Sequence, residues 1–223
     1  MHRTALKDRV LPDYTKGEEI FNMVTHIVGG ALGIAALVLC VIFAALHRNP
    51  WGVVSAAIYG ASLVTLYTIS SIYHGLHKGT GKKVLQILDH CMIFFLIAGT
   101  YTPYTLSGLR VTHPVIAWVI FGLVWGLAAL GITLNAIDLK KYAKFSMACY
   151  IGMGWCIIAA FKPMVDAFET GAIIFLLLGG IAYTVGAVLY GIGKKRRYMH
   201  SIFHLFVIVG SVMQFFSIFF YLM

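Results

Sequence analysis

His200 and His204 stand four residues apart in an apolar run, and Ser70 and His74 repeat that spacing in an earlier one. On a helix this puts both side chains on one face about 6 Å apart, a separation that suits two ligands of one metal ion. Asp89 alone among the eight acidic residues lies well inside an apolar run. Ionisable groups are costly in hydrocarbon, so those that persist pair, bind an ion or line a wet cavity. Three neutral imidazoles, His74, His200 and His204, leave a tetrahedral ion one open position, as in catalytic rather than closed structural zinc sites. Water bound there has its pKa lowered to about 7. Asp89 then suits a base or water-holder better than a fourth ligand. Ser70 suits a hydrogen-bond donor to the hydroxide, to a neighbouring group or to a developing oxyanion. Zinc or another divalent metal competes with a metal-free polar network or pH sensor and with bis-histidine haem. A di-iron centre needs several helix carboxylates, and only one is available.

These residues need helices to position them. Of 223 residues, 60% are apolar and 11% charged, more hydrocarbon than a soluble domain of this length can hide. Crossing ~30 Å of hydrocarbon takes roughly 20 residues. Seven runs qualify: Ile20–Leu46, Trp51–His77, Val84–Leu109, His113–Ile137, Phe145–Phe161, Gly171–Ile192 and Tyr198–Leu222. The expected fold is all-α, a seven-transmembrane-helix bundle, with residues 1–19 as a cytoplasmic N-terminal segment and 20–223 as one transmembrane domain. No repeat or linker divides it, and the first run is long enough to remain as an uncleaved span.

Charge sets the orientation. Fourteen of the seventeen Lys and Arg residues precede the first run or fall between runs two and three, four and five, or six and seven, Lys194 and Lys195 among them. Arg48, Arg110 and Lys162 occupy the alternate breaks. By the positive-inside rule the N-terminus is cytoplasmic and the C-terminus outside, in a multi-pass protein of the plasma (inner) membrane. Basic loops at a membrane reflect topology and anionic head groups, which argues against nucleic acid as a partner. Measured from Lys78, Lys83 and Arg197, the residues His74, Asp89, His200 and His204 lie about 5–10 Å in from the cytoplasmic boundary. Runs two, three and seven can therefore meet around one site near that face. The other polar residues read more plainly. Tyr14, Trp51, Tyr142 and Tyr198 are interfacial anchors, and Glu18, Glu19 and Asn22 cap and solvate the first helix. His26 and His90 read as packed residues, and His2 lies outside the spans. Gly29, Gly30, Gly33, Gly179 and Gly180 are close-packing positions. The four cysteines form no CxxC and read as small buried hydrophobes.

In combination these residues resemble the hemolysin III family, the bacterial branch of the progestin and adipoQ receptor family, itself grouped with alkaline ceramidases. The carriers are Glu18-Glu19-Ile20 leading to His26, Ser70-Ser71-Ile72-Tyr73-His74, Leu88-Asp89-His90 with Ala98-Gly99-Thr100-Tyr101-Thr102-Pro103, and His200-Ser201-Ile202-Phe203-His204. The resemblance implies seven helices, zinc on His74, His200 and His204 near the cytoplasmic face, and Asp89 and Ser70 around the bound water. One departure is Gln214, where relatives often have a histidine. It stands ten residues, about 15 Å of helix, beyond His204, too far for the same metal. The expected function is a zinc-dependent hydrolase of lipid amides or esters, with Asp89 accepting a proton and the acyl chain entering sideways between helices. Its partners would be membrane lipids, a lipid amide or a free fatty acid. Two alternatives stand beside it: a receptor-like regulator with a structural zinc, and a pore-forming hemolysin. The spans disfavour a pore, because they lack a polar stripe long enough to line a channel.

Overall fold

A helix has to satisfy its first amides, and these helices start where that is possible. Thr15 Oγ1 accepts from the Glu18 N–H at 3.2 Å while Glu18 Oε2 accepts from the Thr15 N–H at 2.8 Å. This reciprocal cap opens α1 (Lys16–Leu46). Asn49 Oδ1 accepts from the Gly52 N–H at 2.8 Å, and Pro50 takes the first position of α2 (Pro50–Gly75), where its missing N–H costs nothing. Next comes α3 (Thr80–Thr102), continued by a π-helical stretch at Pro103–Leu109 and a short turn at Arg110–Thr112. α4 (Pro114–Trp155) again opens on proline. A 3₁₀ stretch at Cys156–Ala160, α5 (Phe161–Ala167), α6 (Thr170–Gly193) and α7 (Met199–Tyr221) complete the order. The computed structural model describes residues 3–193 and 196–223; His2, Lys194 and Lys195 lie outside them.

Among the described residues, six helical stretches are long and apolar enough to cross a membrane: Lys16–Leu46, Pro50–Gly75, Thr80–Thr112, Pro114–Ala167, Thr170–Gly193 and Met199–Tyr221. Apolar side chains such as Ile27, Val38, Val119 and Ile181 cover their outer faces. The fourth stretch has 54 residues, which would reach about 80 Å if straight. It is not straight. Asp138 leaves the helical region at φ −156° and ψ 96°. Ser146 Oγ donates to Asn135 Oδ1 at 2.6 Å, and Asn135 Nδ2 donates to the Tyr150 hydroxyl at 3.3 Å. Residues 11 apart in an unbroken helix would be separated by about 16 Å of rise. The chain therefore doubles back at Asp138, and arms 114–137 and 139–155 lie side by side. Where sequence suggests a basic loop between two spans, the break is confined to Asp138.

Small residues let the helices close. A Cβ on Gly29 would lie 2.6 Å from the Tyr67 ring, and one on Gly33 would lie 3.2 Å from Leu63, so α1 and α2 touch where these glycines sit. The core beneath is aromatic, with Tyr59, Tyr67, Phe94 and Tyr104 at 2% exposure or less. All four cysteines are free; Cys40 and Cys91 are buried, and Cys149 and Cys156 partly so.

The hairpin can be tested directly. In a background lacking the native cysteines, the pair Asn135→Cys and Ser146→Cys should cross-link on mild oxidation, read as a mobility shift after cleavage at an engineered site near Asp138. A continuous helix would leave the pair uncrosslinked.

Candidate metal centre

α7 begins abruptly. Tyr198 takes φ 60°, a conformation uncommon in non-glycine residues, and its N–H donates to Glu18 Oε1 at 2.6 Å. The Arg197 guanidinium reaches the other Glu18 oxygen at 3.4 Å. Glu18 thus caps α1 and pins the start of α7 beside it. His200 and His204 follow on one face of α7, and His74 comes from the last turn of α2.

The three rings converge on their Nε2 atoms. His200 Nε2 lies 3.3 Å from His74 Nε2 and 3.1 Å from His204 Nε2, and all three residues offer ligand atoms within 4.8 Å of one another. Nitrogens bound tetrahedrally at about 2.0–2.1 Å from a zinc ion stand about 3.3–3.4 Å apart, so the spacing fits. The tautomer fits as well. His74 Nδ1 donates to Glu19 Oε2 at 2.7 Å, which leaves the Nε2 lone pair facing the centre, as metal-bound histidines require. Glu19 Oε1 pairs with Lys82 at 2.8 Å. Lys82 is 3% exposed and also donates to the carbonyls of Leu76 and His74, at 2.9 and 3.4 Å.

Glu19 therefore belongs to the site and not to the cap, a role that its pairing with Glu18 in sequence conceals. Tyr14, expected as an anchor, stacks on His200 with ring centroids 5.1 Å apart and planes at 10°. Burial pushes its hydroxyl above the ordinary phenol range, so it faces the site as a neutral phenol. His26 lies flat on His204 at 3.6 Å between centroids, edge-on to Tyr67, with neither ring nitrogen partnered. Asn22, one turn earlier, is likewise fully buried, and its side-chain amide has no partner among the described residues.

Beside the histidines opens a cavity of about 480 Å³, with Ser70, Asp89, His200 and His204 in its wall, within the size range of small-molecule sites. Ser70 Oγ is buried and makes no hydrogen bond among the described residues. Asp89, 9% exposed, lies 3.7 Å from His90 Nδ1. Among the described residues it is outside the group whose ligand atoms converge. Ile93, Leu96, Ile97, Leu176 and Val207 supply much of the apolar part of the wall. The second arm of α4 and α6 both line it, meeting where Trp155 Nε1 donates to Thr184 Oγ1 at 2.9 Å. Gln214 stands apart from the histidines at the far end. It accepts from the Tyr104 hydroxyl at 2.7 Å and donates to the Leu176 carbonyl at 3.1 Å.

Comparison with known proteins agrees with the motifs. Residues 14–215 match the family model described as haemolysin-III related. The chain is 41% identical to Hemolysin-3 of Bacillus cereus over 206 residues, covering 92% of each protein. It is 41% identical to the Hemolysin-3 homolog of Bacillus subtilis (strain 168), covering 93% of this chain and 96% of that one. A more distant relative is the human monocyte to macrophage differentiation factor, at 26% identity over 99% of this chain and 90% of that one. No solved structure matches.

Because Glu19 orients His74, Glu19→Gln should weaken divalent-metal binding about 10–100-fold in chelator competition. Glu18→Ala should instead lower thermal stability, by about 1–2 kcal/mol for the lost cap. An unchanged metal affinity in Glu19→Gln would remove Glu19 from the centre.

Proposed function

The chain belongs to the haemolysin-III related family, and we propose that it is a zinc-dependent membrane hydrolase acting on lipid amides or esters. It lies in the plasma membrane with seven spans, the N-terminus and the metal centre on the cytoplasmic side. The seventh span comes from counting the two arms of α4 separately, as their doubling back at Asp138 supports, and the orientation rests on the basic loops.

One observation carries the catalytic reading: of three imidazoles with converging Nε2 atoms, two, His200 and His204, stand in the wall of a largely apolar cavity that also exposes the Asp89 carboxylate and the Ser70 hydroxyl. Bound there, zinc supplies Lewis acidity and lowers the pKa of its water. His74, His200 and His204 hold the ion, and Glu19 orients His74. Asp89 would accept a proton from the attacking water and pass it to the amine or alcohol that departs as the acyl C–N or C–O bond breaks. Ser70 Oγ, free of other partners, donates to the substrate carbonyl oxygen. The apolar wall holds the acyl chain, and the membrane supplies the lipid. The fatty acid released is itself a candidate ligand.

A second reading rests on the tie that the imidazoles make between α2 and α7: a receptor-like regulator in which the ion clamps helices whose arrangement responds to bound lipid. The pore suggested by the name Hemolysin-3 of the Bacillus cereus relative is a third. The cavity lies within one chain, and the spans lack a polar stripe long enough to line a channel, which speaks against it.

Element analysis and a lipid amide and ester panel on purified wild type and His204→Ala separate these readings. The hydrolase reading expects stoichiometric zinc and product from the wild type, and a folded variant with neither. Equal turnover by the variant refutes it. No product, together with a fall in melting temperature on chelation, selects the regulator; leakage from dye-loaded liposomes selects the pore.

A further inference from the structure

Arg9 is only 9% exposed although it precedes the first helix, and its Nη1 is buried without a hydrogen-bond partner among the described residues. A guanidinium carries five donors, and a buried one without a partner is costly. It forms no ion pair among the described residues. Asp138 lies within electrostatic reach of it, but that carboxylate is already engaged: Oδ2 accepts from the Thr4 N–H at 2.9 Å and Oδ1 from the Lys141 N–H at 3.2 Å.

The Thr4 contact and a bond from Lys83 Nζ to the Lys7 carbonyl at 2.6 Å lay the N-terminal segment across the end of the bundle. There Arg9 and Lys140 line the same cavity as Asp89, His200 and His204. Two further carboxylates belong to this wall. Asp8 is exposed to solvent, and Asp89 lies beside His90. From His200 to Gln214 the cavity follows α7, about 20 Å of rise, and at the far end Gln214 has both its amide oxygen and its nitrogen engaged. The cavity thus has a charged end, where Arg9 and Lys140 stand among Asp8, Asp89 and Asp138, then His200 and His204, and beyond them an end where the Gln214 amide is engaged. An amphiphile fits it in one direction.

We propose that Arg9 is a headgroup subsite, and that the ligand is a single-chain acyl amphiphile whose non-acyl end bears an oxyanion, phosphate or carboxylate. The guanidinium holds this oxyanion in a two-point contact, the acyl chain runs toward Gln214, and the acyl carbonyl lies beside the histidines. The last placement rests on the hydrolase reading; the subsite does not.

Three palmitoyl probes test it by equilibrium binding to purified wild type, Arg9→Gln and Arg9→Lys: 1-palmitoyl lysophosphatidic acid, N-palmitoylglycine and neutral 1-palmitoylglycerol. Arg9→Gln should weaken at least one anionic probe about tenfold or more and leave the neutral probe unchanged, with Arg9→Lys between. Whichever anionic probe loses more identifies phosphate or carboxylate as the headgroup. Unchanged affinity for both anionic probes overturns the proposal, and so does an equal loss for all three, which would make Arg9 a folding residue. Incubating the wild type with the same probes separates the two readings. Arg9-dependent binding without hydrolysis refutes the hydrolase alone. Hydrolysis indifferent to Arg9 refutes the subsite alone.

Discussion

Two adjacent carboxylates hold the polar end of this molecule together. Successive residues on a helix point about 100° apart, so Glu18 and Glu19 face different neighbours from one turn of α1. Glu18 closes the cap of its own helix and receives the N–H of Tyr198, the residue that caps α7, while Glu19 receives a ring N–H from α2 and the ammonium of Lys82 on α3. Inside a bundle with apolar outer faces, polar groups have to find partners within the protein. Here one turn of α1 supplies them for three other helices, and His74 and His200 come to the same level because of it.

The site inherits that arrangement. Glu19 sets the hydrogen position on His74, and the Glu18 clamp sets where α7 starts and hence where His200 and His204 point. Tyr14 covers His200 from the N-terminal segment, and His26 covers His204 from α1. Four elements thus enclose the three nitrogens and leave the cavity as the open side. Close approach of α1 and α2 at Gly29 and Gly33 is part of this, since a methyl group at Gly29 would collide with the same Tyr67 ring that braces His26.

Much of this was legible in the chain. The four-residue spacings of Ser70 with His74 and of His200 with His204, measured against the basic breaks, brought the three histidines to one depth, because helical rise is regular. What stayed hidden depends on rotation and on contacts distant in sequence. Nothing local tells Glu18 from Glu19, since the difference lies in which neighbour each meets around α1. Tyr14 has the composition of an interfacial anchor, and only the path of the segment after Thr4 brings it onto His200. The doubling back at Asp138 was expected as a loop, because lysines at 140, 141 and 144 mark a break in apolarity but not that helical backbone continues on both sides of it.

The distance in sequence between partners also orders events during synthesis. Thr4 waits for Asp138, 134 residues later, and Glu18 waits for Tyr198, 180 residues later. At translation rates of about 5–20 residues per second the second wait lasts on the order of ten seconds or more. His74 is therefore made long before the ribosome delivers its two counterparts, and the three-histidine group is among the last parts of the molecule to exist. The group that could hold a metal is accordingly completed late, with Glu18 made early and its contact to Tyr198 closed last.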